Sequence, residues 1–223
     1  MPSHRAPFWC RICSSPLPVL ALIALAGNTD ALVMMHGKQL LAVYMTGDST
    51  RISAALLQGA WDKVGALLCV VVSFLAGTTL AAWIGERAGA WRAAIALMLT
   101  GLLIAFAIPY AGDDWPLRAT SLIAAAMGAL NQTRADQSGV TFITGALIKV
   151  GRHLAAGRYG DAALGMARWA AWLAGAVVGA MLDSHFGSGA LFALVLFAFA
   201  GALAAVLTRM SADPPADSSR SSL

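Results

Sequence analysis

The sequence predicts an all-α, polytopic membrane helix bundle of about six spans, built as two inverted three-span repeats, each with a short Thr-Gly-initiated helix. Three observations predict it. Apolar residues make up 59% of the chain, charged residues only 12%, and mean hydropathy is +0.72, whereas a soluble domain carries roughly 25% charged residues. Apolar runs of roughly 17–22 residues recur, close to the ~20 that a helix needs to cross ~30 Å of hydrocarbon. Finally, a half-polar segment, Tyr44-Met45-Thr46-Gly47 with Arg51 and Gly59, returns 98 residues later as Phe142-Ile143-Thr144-Gly145 with Lys149 and Gly157. The spans must be helices, because lipid offers no partner to free backbone groups.

In chain order, residues 1–16 are a polar, basic tail. The membrane domain is 17–208, with one repeat over 17–111 and the other over 116–208. Residues 17–35 form the first span, apolar except for Asn28, Thr29 and Asp30 near its end. The form Arg5, Arg11, then an apolar stretch ending Ala24-Leu25-Ala26 is that of a cleavable leader. It is read as a span instead, because Gly27-Asn28-Thr29-Asp30 belongs to the repeat. Residues 36–63 carry the first Thr-Gly segment, and 64–85 are the second span. After a charged turn at Glu86-Arg87, 91–111 are the third, followed by an acidic loop at Asp113-Asp114. The fourth, 116–132, is short and ends at Asn131. Residues 133–161 hold the second Thr-Gly segment and much of the basic charge; 162–182 and 188–208 are the last two spans. The Ser-, Asp- and Pro-rich tail, 209–223, reads as disordered.

The net charge is +4 and the pI about 9.3. The basic residues are scattered singly between apolar runs, which argues against nucleic acid and for the positive-inside asymmetry of a membrane protein. With the N-terminus inside, Arg5, Arg11, Arg87, Arg92, Arg134, Lys149, Arg152, Arg158, Arg209 and Arg220 fall inside. Lys38, Arg51, Lys63 and Arg118 fall outside. Both termini are therefore expected in the cytoplasm. Trp83, Trp91 and Trp115 fall near span ends, where an indole prefers the interface. Cys10 and Cys13 form a C-x-x-C pair with no second pair to complete a tetrahedral zinc site, and Cys69 reads as a packing residue.

At an offset of 98, residues 44–82 align with 142–180 without a gap, with eight of 39 pairs identical. Rare features recur in order: Thr-Gly, a basic residue four positions after the glycine, then a second glycine and an aromatic. Upstream, Leu22-Ile23-Ala24 resembles Leu122-Ile123-Ala124, and Asp30 meets Asn131 after a gap of about three residues. Three spans per copy flip the second copy relative to the first, the layout of many transporters, whose site lies near the midplane.

Residues 45–58 and 144–156 make helices of about 20 Å, too short to cross. Thr46 is a plausible N-cap. Two placements stand open. Both segments are re-entrant half-helices whose N-terminal ends approach a shared site, with Arg51 and Lys149 favouring a polar or anionic ligand; or both are amphipathic helices lying at the interfaces, their basic side chains snorkelling to water.

The chain resembles the YoaK family of bacterial inner-membrane proteins, a domain of unknown function. The resemblance rests on Gly27 with Asp30-Ala31, Met45-Thr46-Gly47 with Arg51, Ala126-Met127-Gly128 with Asn131, and Thr141-Phe142-Ile143-Thr144-Gly145 with Lys149 and Gly151. It covers roughly residues 17–208. The family usually has Asn where this chain has Asp48, and a longer link between Asn131 and Thr144. The resemblance implies about six spans and a cell-membrane location, and no activity.

Two functions follow. One is a small-solute transporter or channel with a site between the repeats, built from Asp30, Thr46, Gly47, Arg51, Asn131, Thr144, Gly145 and Lys149. The other is a non-transporting membrane scaffold or partner-binding subunit, with no water path between the repeats. No H-E-x-x-H or G-x-S-x-G motif is present, and His4, His36, His153 and His185 are dispersed. The chain reads as a non-enzyme without catalytic residues, metal or cofactor. Its expected partners are the bilayer, a small polar or anionic solute and, in one reading, further copies of itself.

Overall fold

The computed structural model describes residues 16–37, 40–112, 115–134 and 139–212. The basic tail with Cys10 and Cys13, the acidic loop at Asp113-Asp114 and the C-terminal tail beyond 212 lie outside the described residues. The described residues form eight α-helices and no strand: α1 (Leu17–His36), α2 (Met45–Leu57), α3 (Trp61–Ala88), α4 (Arg92–Ala107), α5 (Leu117–Leu130), α6 (Ile143–Ala155), α7 (Tyr159–Phe186) and α8 (Ala190–Ala212). Short 3₁₀ turns join α3 to α4 and α7 to α8, and extend α4 and α5.

Local chemistry sets these boundaries. Pro18 sits in the first turn of α1, where its missing N–H costs nothing. Pro109 ends α4 in a 3₁₀ turn, and Pro116 precedes α5 in extended conformation. Gly59 and Gly157 stand at φ 66° and 68°. Only glycine takes that region without strain, so each lets a short helix double back onto the long one that follows. Among the expected spans, α3 and α7 prove longer, at 28 residues each, and α5 shorter, at 14. At ~1.5 Å per residue α5 is only about 21 Å long. It is tolerated because protein encloses it: Ala119, Ile123, Ala124 and the run Ala126–Leu130 are buried.

Among the described residues, three segments are long and apolar enough to cross a membrane: Leu17–His36, Trp61–Tyr110 and Tyr159–Thr208, the last two each holding two helices. Their outer faces carry exposed Leu75, Trp83, Phe106, Val177, Met181, Leu196 and Leu203, the surface lipid covers.

Packing crosses between the halves of the chain. The main contacts are α1 on α7, α3 on α5 and α4 on α8. At the first two crossings the backbones touch. A Cβ at Gly175 would fall on the Ala24 carbonyl, and one at Gly27 on the Trp172 carbonyl. A Cβ at Gly77 would fall on the Ala125 carbonyl, and one at Gly128 on the Phe74 carbonyl. Small residues permit this approach, which replaces the hydrophobic drive that lipid removes. The element bounds recur as well: α2 and α6, α3 and α7, and the turns at Gly89–Trp91 and Gly187–Gly189 all begin 98 residues apart.

Candidate functional site

The short helices differ from expectation at their first turns. Thr46 and Thr144 are not N-caps; each is the second residue of its helix. Tyr44 and Phe142 occupy the cap positions without side-chain capping bonds. In α2 the Tyr44 carbonyl itself accepts from the amides of Gly47 (3.0 Å) and Asp48 (3.3 Å), so the Asp48 amide that a Thr46 cap would serve is already taken. The aromatic ring then folds over the first turn. A Cβ at Gly47 would strike the Tyr44 ring, and one at Gly145 the Phe142 ring. The glycine of each Thr-Gly pair is thus the seat of an aromatic ring.

Those first turns meet at one cavity of about 820 Å³. Its wall is built in pairs from the two halves. Tyr44 and Phe142, Met45 and Ile143, Thr46 and Thr144, Phe74 and Trp172, and Val43 and Thr141 all line it, and the members of each pair stand 98 residues apart. Asp30 and Asn131, near the C-terminal ends of α1 and α5, line it too. Charge enters from Glu86 and Arg92 at the α3–α4 turn and from Arg134.

Asn131 is engaged at both of its side-chain polar atoms. Its Nδ2 donates to the Met127 carbonyl at 3.0 Å, and its Oδ1 accepts from the backbone N–H and the hydroxyl of Thr141, each at 3.1 Å. It therefore pins the strand of chain that leads into α6. Asp30 has no such arrangement; its Oδ1 is buried without a hydrogen-bond partner.

Of the expected site residues, the cavity wall thus includes Asp30, Thr46, Asn131 and Thr144, with Gly47 and Gly145 seating the rings behind it. Arg51 and Lys149 lie elsewhere. Arg51 is half-exposed, 3.5 Å from Asp48 Oδ1, and lines a separate depression with Lys63 and Trp115. Lys149 is exposed on α6. Glu86, Arg92, Arg134, Phe74 and Trp172 were not expected in the site. Phe74 and Trp172 had a signal, since they are aromatics at the repeat offset inside apolar runs.

A second polar contact ties the far ends of the crossing helices. His36, the last residue of α1, lies 2.6 Å from Asp183 Oδ1 on α7 and stacks on buried Trp115 at a centroid distance of 5.2 Å. The Trp115 amide donates to the His36 carbonyl at 3.0 Å.

The family described as "Protein of unknown function (DUF1275)" matches residues 19–206. A relative from Rhizobium meliloti (strain 1021), UPF0700 transmembrane protein RA0705, is 35% identical over 187 residues, covering 78% of this chain and 78% of its own. No solved structure matches. The chain belongs to the DUF1275 family and is an integral membrane protein, as the resemblance on its Thr-Gly motifs implies.

Proposed function

We propose that this DUF1275 protein is a small-solute transporter or channel whose two halves form an inverted repeat, with the path running through the cavity between the first turns of α2 and α6. One observation carries the reading: the cavity wall is assembled from matched residues of the two halves, the arrangement expected at the axis relating inverted repeats. Depth agrees. Asp30 stands thirteen residues beyond Leu17 in α1, about 20 Å along the helix at ~1.5 Å per residue, inside a ~30 Å bilayer core and about 5 Å past its midplane. Re-entrant α2 and α6 then run from the midplane to opposite surfaces, where Gly59 and Gly157 turn the chain back. Non-spanning backbone at that depth is tolerated because it lines a cavity. The chain sits in the bacterial inner membrane with both termini cytoplasmic, as the distribution of Lys and Arg favours.

The positive ends of the α2 and α6 dipoles favour a polar or anionic group on the solute, while Tyr44, Phe142, Phe74 and Trp172 take its apolar part. The test plugs the path. Ala82→Trp and Leu147→Trp fill the cavity from α3 and α6, and neither residue stands against a crossing glycine. In proteoliposomes screened with a panel of radiolabelled amino acids, organic acids, sugars and inorganic anions, the wild type should move at least one solute, and each plug should reduce that flux at least tenfold. A folded wild type that moves nothing across the panel, or plugs that leave the flux intact, would favour the scaffold instead.

A further inference from the structure

Two opposite charges line the cavity at the α3–α4 turn without neutralising each other. They are Glu86 and Arg92. Among the described residues neither makes a hydrogen bond or an ion pair. Their neighbour Arg87 is the contrast. Its guanidinium lies 3.9 Å from the Trp83 ring centroid, and its Nη1 donates to the Trp83 carbonyl at 3.0 Å. Arg134 lines the cavity too but has an interaction of its own, so nothing is asked of it here.

Arg92 is held in place. Its stem lies on buried Gly85 of α3, where a Cβ would stand 2.8 Å from Arg92 Nε and 3.1 Å from its Cγ. The side chain is half-buried at the cavity wall, and an unpaired charge so placed gains from an incoming anion. The second half of the chain builds the same turn with Asp183, Ser184 and Ala190 at the positions of Gly85, Glu86 and Arg92. The turn therefore folds without this pair of charges.

The pair also selects. Glu86 repels a simple anion and Arg92 a simple cation, whereas a zwitterion satisfies both. Asp30 shares the cavity, but its Oδ1 is buried away from an incoming ligand. From Glu86 the wall runs back along α3 through Ala82, Thr78 and Phe74, four residues apart on one face over about 18 Å. Small Ala82 and Thr78 leave room beside the charges, and Leu147, Trp169 and Trp172 wall the same cavity with apolar surface.

We propose that the cavity binds an α-amino acid with a large apolar side chain. Its carboxylate sits on Arg92, whose planar fork can donate two parallel bonds, and its ammonium on Glu86. Its side chain lies along Ala82 and Thr78 towards the aromatic wall. This names the solute class of the transport reading above and rests on that reading for the cavity's role as a path; the binding itself does not.

Equilibrium binding of tritiated phenylalanine to the full-length protein in detergent tests it, with two competitors. Phenylpropionate lacks the ammonium, and phenylethylamine lacks the carboxylate. The wild type should bind phenylalanine, and each competitor about tenfold or more weakly, because one charge is left unmatched. Arg92→Gln should weaken phenylalanine by the same factor and leave phenylethylamine within about twofold. Glu86→Gln should weaken phenylalanine likewise and leave phenylpropionate within about twofold. No binding of phenylalanine, a competitor that binds as tightly as phenylalanine, or either variant binding phenylalanine like the wild type would each overturn the proposal. The wild-type competitor series decides the matter even if a variant fails to fold. Because no flux is read, the two failures separate. Binding as expected in a protein that moves no solute sinks the transport reading alone, and flux of another solute without phenylalanine binding sinks this one.

Discussion

Gly175→Ala is the sharpest test of the packing. In an exposed helix interior, Gly→Ala gains up to about 1 kcal/mol of helix propensity. At Gly175 the added Cβ meets the Ala24 carbonyl of α1, a backbone atom with no rotamer by which to escape. The crossing of α1 and α7 must open, and overpacking of this kind costs typically 1–3 kcal/mol. With the clash on backbone the upper end applies, leaving a net loss of about 2 kcal/mol. For a chain of this size that lowers the Tm by roughly 4–8 °C. Gly77→Ala should cost the same, since its Cβ meets the Ala125 carbonyl at the equivalent crossing. Gly65→Ala in α3 and Gly151→Ala in α6 are the controls, because nothing lies within 4 Å of a Cβ at either site. They should be neutral or slightly stabilising. The assay is thermal unfolding of the detergent-solubilised protein, followed by intrinsic tryptophan fluorescence and size exclusion. If Gly175→Ala and Gly77→Ala melt with the controls, the close crossings are not present and the pairing of the two halves fails with them.

Further outcomes follow from single contacts. Asn131→Ala removes two acceptor contacts to Thr141 and should cost about 2 kcal/mol, with faster hydrogen exchange at the Thr141 amide as its local signature. A double-mutant cycle on His36→Ala and Asp183→Ala should give a coupling of about 1–2 kcal/mol, since the 2.6 Å contact is largely shielded from water; a coupling near zero would remove the tie between α1 and α7. Lys149→Ala should leave solute flux within about twofold of wild type, a difference of under half a kcal/mol, because the side chain is exposed and off the cavity.

Much of the architecture is legible in the sequence, because the bilayer imposes length and apolarity on every span and because the Thr-Gly segments are polar among apolar runs. The fourth span shows the limit. Its 14 residues look too few until the fold wraps protein around them. The site was legible in part. Asp30, Thr46, Asn131 and Thr144 line one cavity, as their polar character among apolar runs suggests. Arg51 and Lys149 do not, and helix geometry gives the reason: five residues beyond the threonine is about 140° round the helix and ~7.5 Å along it, so the side chain leaves the face that meets the cavity. The true role of Gly47 and Gly145 was hidden, because nothing local announces that the preceding aromatic ring folds back onto them. Glu86 and Arg92 belong to a turn that only tertiary packing brings to the cavity.

The central claim is that the two short helices begin at one shared, water-accessible cavity. It is tested most directly with cysteines at positions 46 and 144, singly and together, in a chain whose three native cysteines have been replaced. In membranes, both positions should react with a small, impermeant methanethiosulfonate. In the double variant, a bulky maleimide on one should slow modification of the other at least tenfold. If neither position reacts, or if both react fully and independently, the two helices do not share a cavity and the account is wrong.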